Sequence, residues 1–245
     1  MRTLPIVLVH GLIGTLDHPA LLEHFPTMTI APPLLGYGPH AGVDPAHIDL
    51  QAQVDHLHAA IEAAFGAAPV RLVGHSVGGA VAMLFAHRFP ARVARLVSVE
   101  GNFTLRDAFW SAQVAAMTPA AAEAMLAGLR EDPLAWLAGD GIAEPTRLEA
   151  IAAALLYEQP ASTIRATARS VVEVTAQPAY LRRVREVMAR TPVQLVAGER
   201  SRAGWDVPDW ALAEAAGITV MPGVGHMMMV EDGAGFARAV LAGQA

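Results

Sequence analysis

The chain contains no cysteine, which excludes disulfides, thiolate metal sites and cysteine nucleophiles together. It contains no lysine either, so all 17 of its basic residues are arginine, set against 23 acidic ones. The resulting net charge of −6 lacks the basic surplus that a nucleic-acid coat needs. Only 16% of residues are charged and 53% are hydrophobic, which excludes a disordered chain. No apolar run approaches the roughly 20 residues of a membrane-spanning helix. The first run, Leu4 to Val9, is short for a signal peptide and ends in His10-Gly11. The expectation is a cytoplasmic protein with a small-molecule substrate and neither a nucleic-acid nor a membrane partner. At 245 residues the chain is long enough for one substantial α/β core.

Short apolar runs bounded by glycine, proline or polar residues recur along the chain. Leu4–Val9, Thr27–Ala31, Val70–Val73, Ala94–Val99, Pro192–Ala197 and Ile218–Met221 read as six strands. Between them lie helical patterns. Over Gln51–Phe65, with Leu50 just ahead, Val54, Leu57, Ile61 and Phe65 share one face, and Gly66 closes the helix. A final helix is expected over Asp232–Ala242. Alternation of strand and helix predicts an α/β fold with a mostly parallel sheet covered on both faces. From Phe103 to Arg190 no strand is evident. Pro119, Pro133, Pro145, Pro160 and Pro178 divide that interval into four or five short helices. The expected division is a core of residues 1–102 and 191–245, with a helical cap over 103–190.

Gly74-His75-Ser76-Val77-Gly78 has the pattern G-x-S-x-G between a strand and a helix. That context forces a sharp turn, exposes the Ser76 hydroxyl, and leaves Gly74 and Gly78 without side chains that would clash. The N-terminus of the following helix offers free N–H groups to a developing oxyanion. Neither a Gly-Lys-Ser/Thr ending nor G-x-G-x-x-G spacing is present, so the turn is not read as a phosphate loop. Of ten histidines, His226 follows the sixth strand in the glycine-rich run Gly223-Val224-Gly225-His226. His56 and His58 are two apart on a helix, the wrong spacing for a metal pair, and read as a solvated face. His18, His24, His40 and His47 fall in loops or near helix starts, and His75 reads as packing beside Ser76.

Together His10-Gly11-Leu12, Gly74-His75-Ser76-Val77-Gly78-Gly79 and Gly223-Val224-Gly225-His226 resemble the α/β-hydrolase fold, over essentially the whole chain. The resemblance implies a reduced sheet of about six strands. It implies Ser76 as nucleophile, His226 as base, and the Leu12 and Val77 N–H groups as the oxyanion hole. No metal or organic cofactor is implied. Where many members carry an aspartate after the strand that follows the cap, this chain has Ser201 in Gly198-Glu199-Arg200-Ser201. Glu100 is the replacement expected to act as the acid, because it ends an otherwise apolar strand on the site side of the sheet. Glu199 and Asp206 are the alternatives. The implied function is a serine hydrolase of a carboxylic ester or related acyl compound. Lactone, thioester, amide or C–C bond hydrolysis and perhydrolysis are possible on the same residues, and a ligand-binding protein of the same fold is the rival from outside enzymes. Phe103, Phe109, Trp110, Trp136 and Tyr157 read either as lining an acyl pocket or as packing the core of the expected cap, and Arg106, Arg165 and Arg169 either as meeting an anionic substrate or as a solvated face.

Overall fold

A computed structural model describes residues 4–142 and 145–242. Six strands form one sheet: β1 (Ile6–Val9), β2 (Thr29–Ile30), β3 (Val70–His75), β4 (Val93–Val99), β5 (Val193–Gly198) and β6 (Gly217–Met221). Every pairing is parallel, in the order β2-β1-β3-β4-β5-β6. β1 and β3 are buried at every position, as expected for strands covered on both faces. The expected strand positions agree with these to within two residues; β1 and β2 each start two residues later than expected, and β3 runs on two residues to His75, into the expected turn.

The helices in chain order are α1 (Pro19–Leu22), α2 (Leu50–Phe65), α3 (Val77–Arg88), α4 (Phe109–Ala116), α5 (Pro119–Glu131), α6 (Pro133–Gly139), α7 (Glu149–Tyr157), α8 (Ala161–Thr175), α9 (Pro178–Met188), α10 (Asp209–Glu214), α11 (Met228–Glu231) and α12 (Gly233–Leu241). One face of the sheet packs Val7, Val9, Leu72 and Leu96 against Val54, Val81 and Phe85 of α2 and α3. The other packs Ile6, Leu8, Val73 and Val97 against Phe236 and Val240 of α12. Among the described residues the interval after β4 holds six α-helices, α4 to α9, rather than four or five. The prolines act as starts, not interruptions. Pro119, Pro133 and Pro178 occupy the first helical turn, where a missing N–H costs nothing. α4 precedes the first of them. Within the insertion, α4 packs along α8, while α9 packs against α3 of the core.

The chain leaves β1 for β2 on one side and later crosses to β3 on the other. The order therefore reverses between β1 and β3, and the crevice beyond their C-terminal ends is where open parallel sheets gather function. Both His10-Gly11-Leu12 and Ser76 emerge there.

Candidate active site

Among the described residues only two non-glycine residues have positive φ, Ser76 at 54° and Glu100 at 41°. Each follows the last residue of a central strand. Such conformations are strained and persist only where the surroundings enforce them. At Ser76 the enforcement is visible. Its N–H donates to the Val99 carbonyl (3.0 Å), while its own carbonyl accepts from Gly79 N–H (2.9 Å) and Asn102 N–H (3.2 Å). The turn is thereby tied to β4, and Val77 N–H opens the free end of α3.

Glu100 is buried and faces His226. Its Oε2 lies 2.6 Å from His226 Nδ1. Its other oxygen, Oε1, accepts from Gly198 N–H (2.9 Å) and from the Ser201 hydroxyl (2.5 Å). Burial alone would raise the Glu100 carboxyl. The bond to and charge of His226, aided by Ser201 and Gly198, outweigh it and hold the group below the usual carboxylate range. Burial alone would lower the His226 imidazole. The Glu100 bond and charge, with Asp140 adding to them, outweigh it and raise the imidazole above its usual value.

The alternatives lie elsewhere. Glu199 is exposed and accepts from Gly223 N–H (2.8 Å). Asp206 accepts from the Thr104 hydroxyl (2.6 Å). The Ser76 hydroxyl and the His226 ring share no hydrogen bond among the described contacts. His75, the neighbour of Ser76 in the chain, ties the two segments: its Nε2 donates to the His226 carbonyl (3.1 Å) and its ring centroid is 4.6 Å from that of His226. Burial, with His226 beside it, keeps His75 neutral.

The loop after β1 is held as firmly. His10 is buried, and burial pulls its imidazole down to about 4, so the ring is neutral at neutral pH. Its Nε2 accepts from Leu34 N–H (3.1 Å), so the proton must sit on Nδ1, which donates to the Gly11 carbonyl (2.9 Å). In a trans peptide the C=O and the following N–H point in opposite directions. Fixing the Gly11 carbonyl therefore fixes the direction of the Leu12 N–H. The Leu12 carbonyl accepts from the Tyr37 hydroxyl (2.9 Å), and Gly14 N–H donates to Gln159 of the insertion (2.9 Å).

The His226 loop has a second set of ties that sequence reasoning missed. Glu231 accepts from Gly225 N–H (2.7 Å) and pairs with Arg200 (2.9 Å), and Arg200 also donates to the Gly223 carbonyl. Asp140, at the end of α6, accepts from Met227 N–H (3.3 Å). Nothing local marks Asp140, since its partner lies 87 residues away. Only the acidic pair Glu231-Asp232 close behind His226 was a usable signal.

Other expected contacts separate. Phe103 is buried in the core, Trp110 and Trp136 pack partly buried against it, and Phe109 and Tyr157 are exposed. Arg165 donates to the Met117 carbonyl (2.6 Å), a tie within the insertion. Arg106 and Arg169 are exposed. His56 and His58 are not a solvated face. His56 bonds the Pro33 carbonyl (3.0 Å) and His58 stacks on Phe89 at 4.1 Å.

Residues 6–239 match the alpha/beta hydrolase family, and the chain belongs to it. A 2-hydroxy-6-oxo-2,4-heptadienoate hydrolase of Pseudomonas putida is 38% identical over 118 residues, 42% of this chain and 40% of that protein. Lipase LipV of Mycobacterium tuberculosis is 41% identical over 98 residues, 39% of this chain and 36% of that one. The matched segments thus span about two fifths of those relatives. Among solved structures, an esterase from Thermogutta terrifontis superposes with a TM-score of 0.68 at 20% identity, covering 98% of this chain and 88% of that one. MenH from S. aureus gives 0.73 at 16% identity, covering 98% and 93%. These structural likenesses concern the fold. No helix among the described residues is long and apolar enough to cross a membrane.

Proposed function

We propose that this chain is a serine hydrolase that cleaves a carboxylic ester or related small acyl compound through an acyl-enzyme on Ser76. The observation that carries the proposal is the 2.6 Å contact of Glu100 with His226 Nδ1, next to a strained serine at a helix N-terminus. With Nδ1–H held by the carboxylate, His226 Nε2 is left as the base. Substrate entry brings Ser76 Oγ, the carbonyl carbon and Nε2 into line. Catalytic contacts often tighten only at that stage. Ser76 attacks, Nε2 takes its proton, and the oxyanion forms against Leu12 and Val77 N–H. Collapse expels the leaving group with the proton from His226. Water, deprotonated by the same nitrogen, then releases the acid and restores Ser76. In the same reading residues 103–190 cover the site as a cap, touching the loops of both the oxyanion hole and the base through Gln159 and Asp140. A dienoate substrate of the kind named for the Pseudomonas putida relative is the second reading, resting on that match alone.

The test is labelling with a fluorophosphonate, read by intact mass and peptide mapping. One adduct per chain, on Ser76, is expected. Absence of an adduct on folded protein would favour a ligand-binding role. The labelling rate should also report His226. The base must be neutral to act, and its pKa is raised above 6.5, so the rate should fall as pH drops through a midpoint above that value. A pH-independent rate between 5 and 8 would remove His226 from the mechanism.

Ser201→Ala removes one of two hydrogen bonds to Glu100 Oε1 while Gly198 N–H keeps the other. A hydrogen bond to a charged group contributes about 1.5–3 kcal/mol, so kcat is expected to fall by about tenfold to a hundredfold, with KM little changed. Steady-state kinetics on an ester that the wild type turns over would measure it.

A further inference from the structure

At the opposite end of the sheet from Ser76, four neighbouring strands carry polar side chains in a row on the α12 face. β3 contributes Arg71, β4 Arg95, β5 Gln194 and β6 Thr219. The register explains the row. Arg71 pairs with Arg95, Gln194 lies beside Val97, and Thr219 lies beside Val196, so from Arg95 onward each strand places its polar residue two positions higher. Such a row is out of place on a face whose other residues, Val73, Val97 and Val196, are core. α12 ends too early to cover it. The helix stops at Leu241, and beyond it lies a recess of about 160 Å³ bordered by these four side chains, Ile218 and Ala242.

Among the described residues the charges in this recess are unbalanced. Arg71 is buried, at 3% exposure, and one of its nitrogens donates to the Val240 carbonyl (2.8 Å). Gln194 donates to the Ala239 carbonyl (2.9 Å). Both therefore satisfy the C-terminal carbonyls of α12, whose dipole presents roughly half a negative charge. Two guanidiniums stand against that half charge, and among the described residues no Asp or Glu lines the recess. The ion pairs of arginine among the described residues use Arg88, Arg106, Arg185, Arg200 and Arg238, not Arg71 or Arg95. Burial first, and the charge of Arg95 beside it second, pull the Arg71 guanidinium below its usual range. All this occurs in a chain of net charge −6, where a concentrated positive recess is against the overall trend.

We propose that the recess is a binding site for one small oxyanion of the phosphate or sulfate class, held by Arg71 and Arg95 with Gln194 and Thr219 at its edge. Planar guanidiniums donate to such anions in pairs, which is the chemistry two adjacent arginines offer. The volume selects a small ligand, being below the roughly 300–1,000 Å³ of sites that enclose drug-sized molecules. Ser76 lies five positions beyond Arg71 along β3, about 16 Å at the rise of a strand, so this site is distinct from the proposed catalytic one.

The test uses the full chain and inorganic phosphate. A ligand that binds only the folded state raises Tm in a saturable way. We expect Tm to rise with phosphate beyond the effect of sodium chloride at equal ionic strength. Arg95→Gln should lose most of that rise and keep the wild-type rate of fluorophosphonate labelling. Arg95 is the residue to change, because Arg71 also caps α12. Isothermal titration of phosphate into the wild type should give a one-site isotherm, a measurement that needs no variant. Equal phosphate responses in wild type and Arg95→Gln would overturn the proposal. So would a flat titration, or a Tm rise that sodium chloride reproduces.

Discussion

Glu100→Gln is expected to lower kcat by about 10³–10⁴-fold while Tm changes little. The variant keeps the shape of the side chain and alters only charge and donor pattern. Oε1 accepts two donors, the Gly198 N–H and the Ser201 hydroxyl. In the glutamine variant those two donors require the amide oxygen. The amide NH₂ must then face His226 Nδ1, where Oε2 now lies at 2.6 Å. A donor at that point forces Nδ1 to accept, and the ring proton moves to Nε2. That tautomer cannot take a proton from Ser76. The alternative orientation leaves two donors facing NH₂ in a buried site, which is costly. Loss of the carboxylate also removes the largest cause of the raised His226 value, so the acid limb of the residual activity should move to lower pH. The fold-change corresponds to about 4–5.5 kcal/mol of transition-state stabilisation. Glu199→Gln is the control. It can still accept from Gly223 N–H, and activity within a few fold of wild type is expected. Steady-state kinetics with a thermal melt on each variant decide the matter. Wild-type turnover in Glu100→Gln would end the assignment of Glu100 as acid.

The contrast between Glu100 and its surroundings shows what was legible in the chain. A carboxylate closing an apolar strand is a local signal, and so are His10-Gly11 after β1 and the glycines around Ser76. All six strands were visible for the same reason: buried parallel strands are short continuous apolar runs with sharp ends. What stayed hidden depends on contacts between distant segments. Glu100 meets His226 across 126 residues, and Ser201 across 101. Ser201 drew notice in the sequence for lacking a charge, whereas in the fold its hydroxyl holds the charge of another residue. Whether Arg165 and the aromatics of residues 103–190 face a substrate or pack against neighbouring helices was left open by the sequence, because helical periodicity does not say which helix will cover which. The ties of Asp140 and Arg200 to the His226 loop run to backbone groups, and backbone partners leave no mark in composition or spacing.

Gly78→Ala is expected to cost at least about 3 kcal/mol of stability, and in the cell to reduce soluble protein sharply. Gly78 lies in the first turn of α3 with an ordinary φ, so conformational freedom is not the issue. A Cβ there would stand 2.4 Å from both the Val9 and His10 carbonyl oxygens. Those atoms are backbone of a central strand and of the loop that fixes the Leu12 N–H. They cannot rotate away as a side-chain tip could. Relief requires α3 to lift from the sheet, and α3 carries Ala80, Val81 and Phe85 into the core. It would also part Val77 N–H from Leu12, so surviving folded protein should label slowly with the fluorophosphonate. Gly128→Ala provides the opposite case. It sits in α5, and a Cβ there meets nothing within 4 Å. That change should stabilise by up to about 1 kcal/mol, because alanine loses less backbone entropy on folding. Urea unfolding of the two variants separates close approach from helix propensity. If Gly78→Ala unfolds at the wild-type midpoint, the contact between α3 and β1 is looser than 2.4 Å implies, and Gly78 serves only the turn.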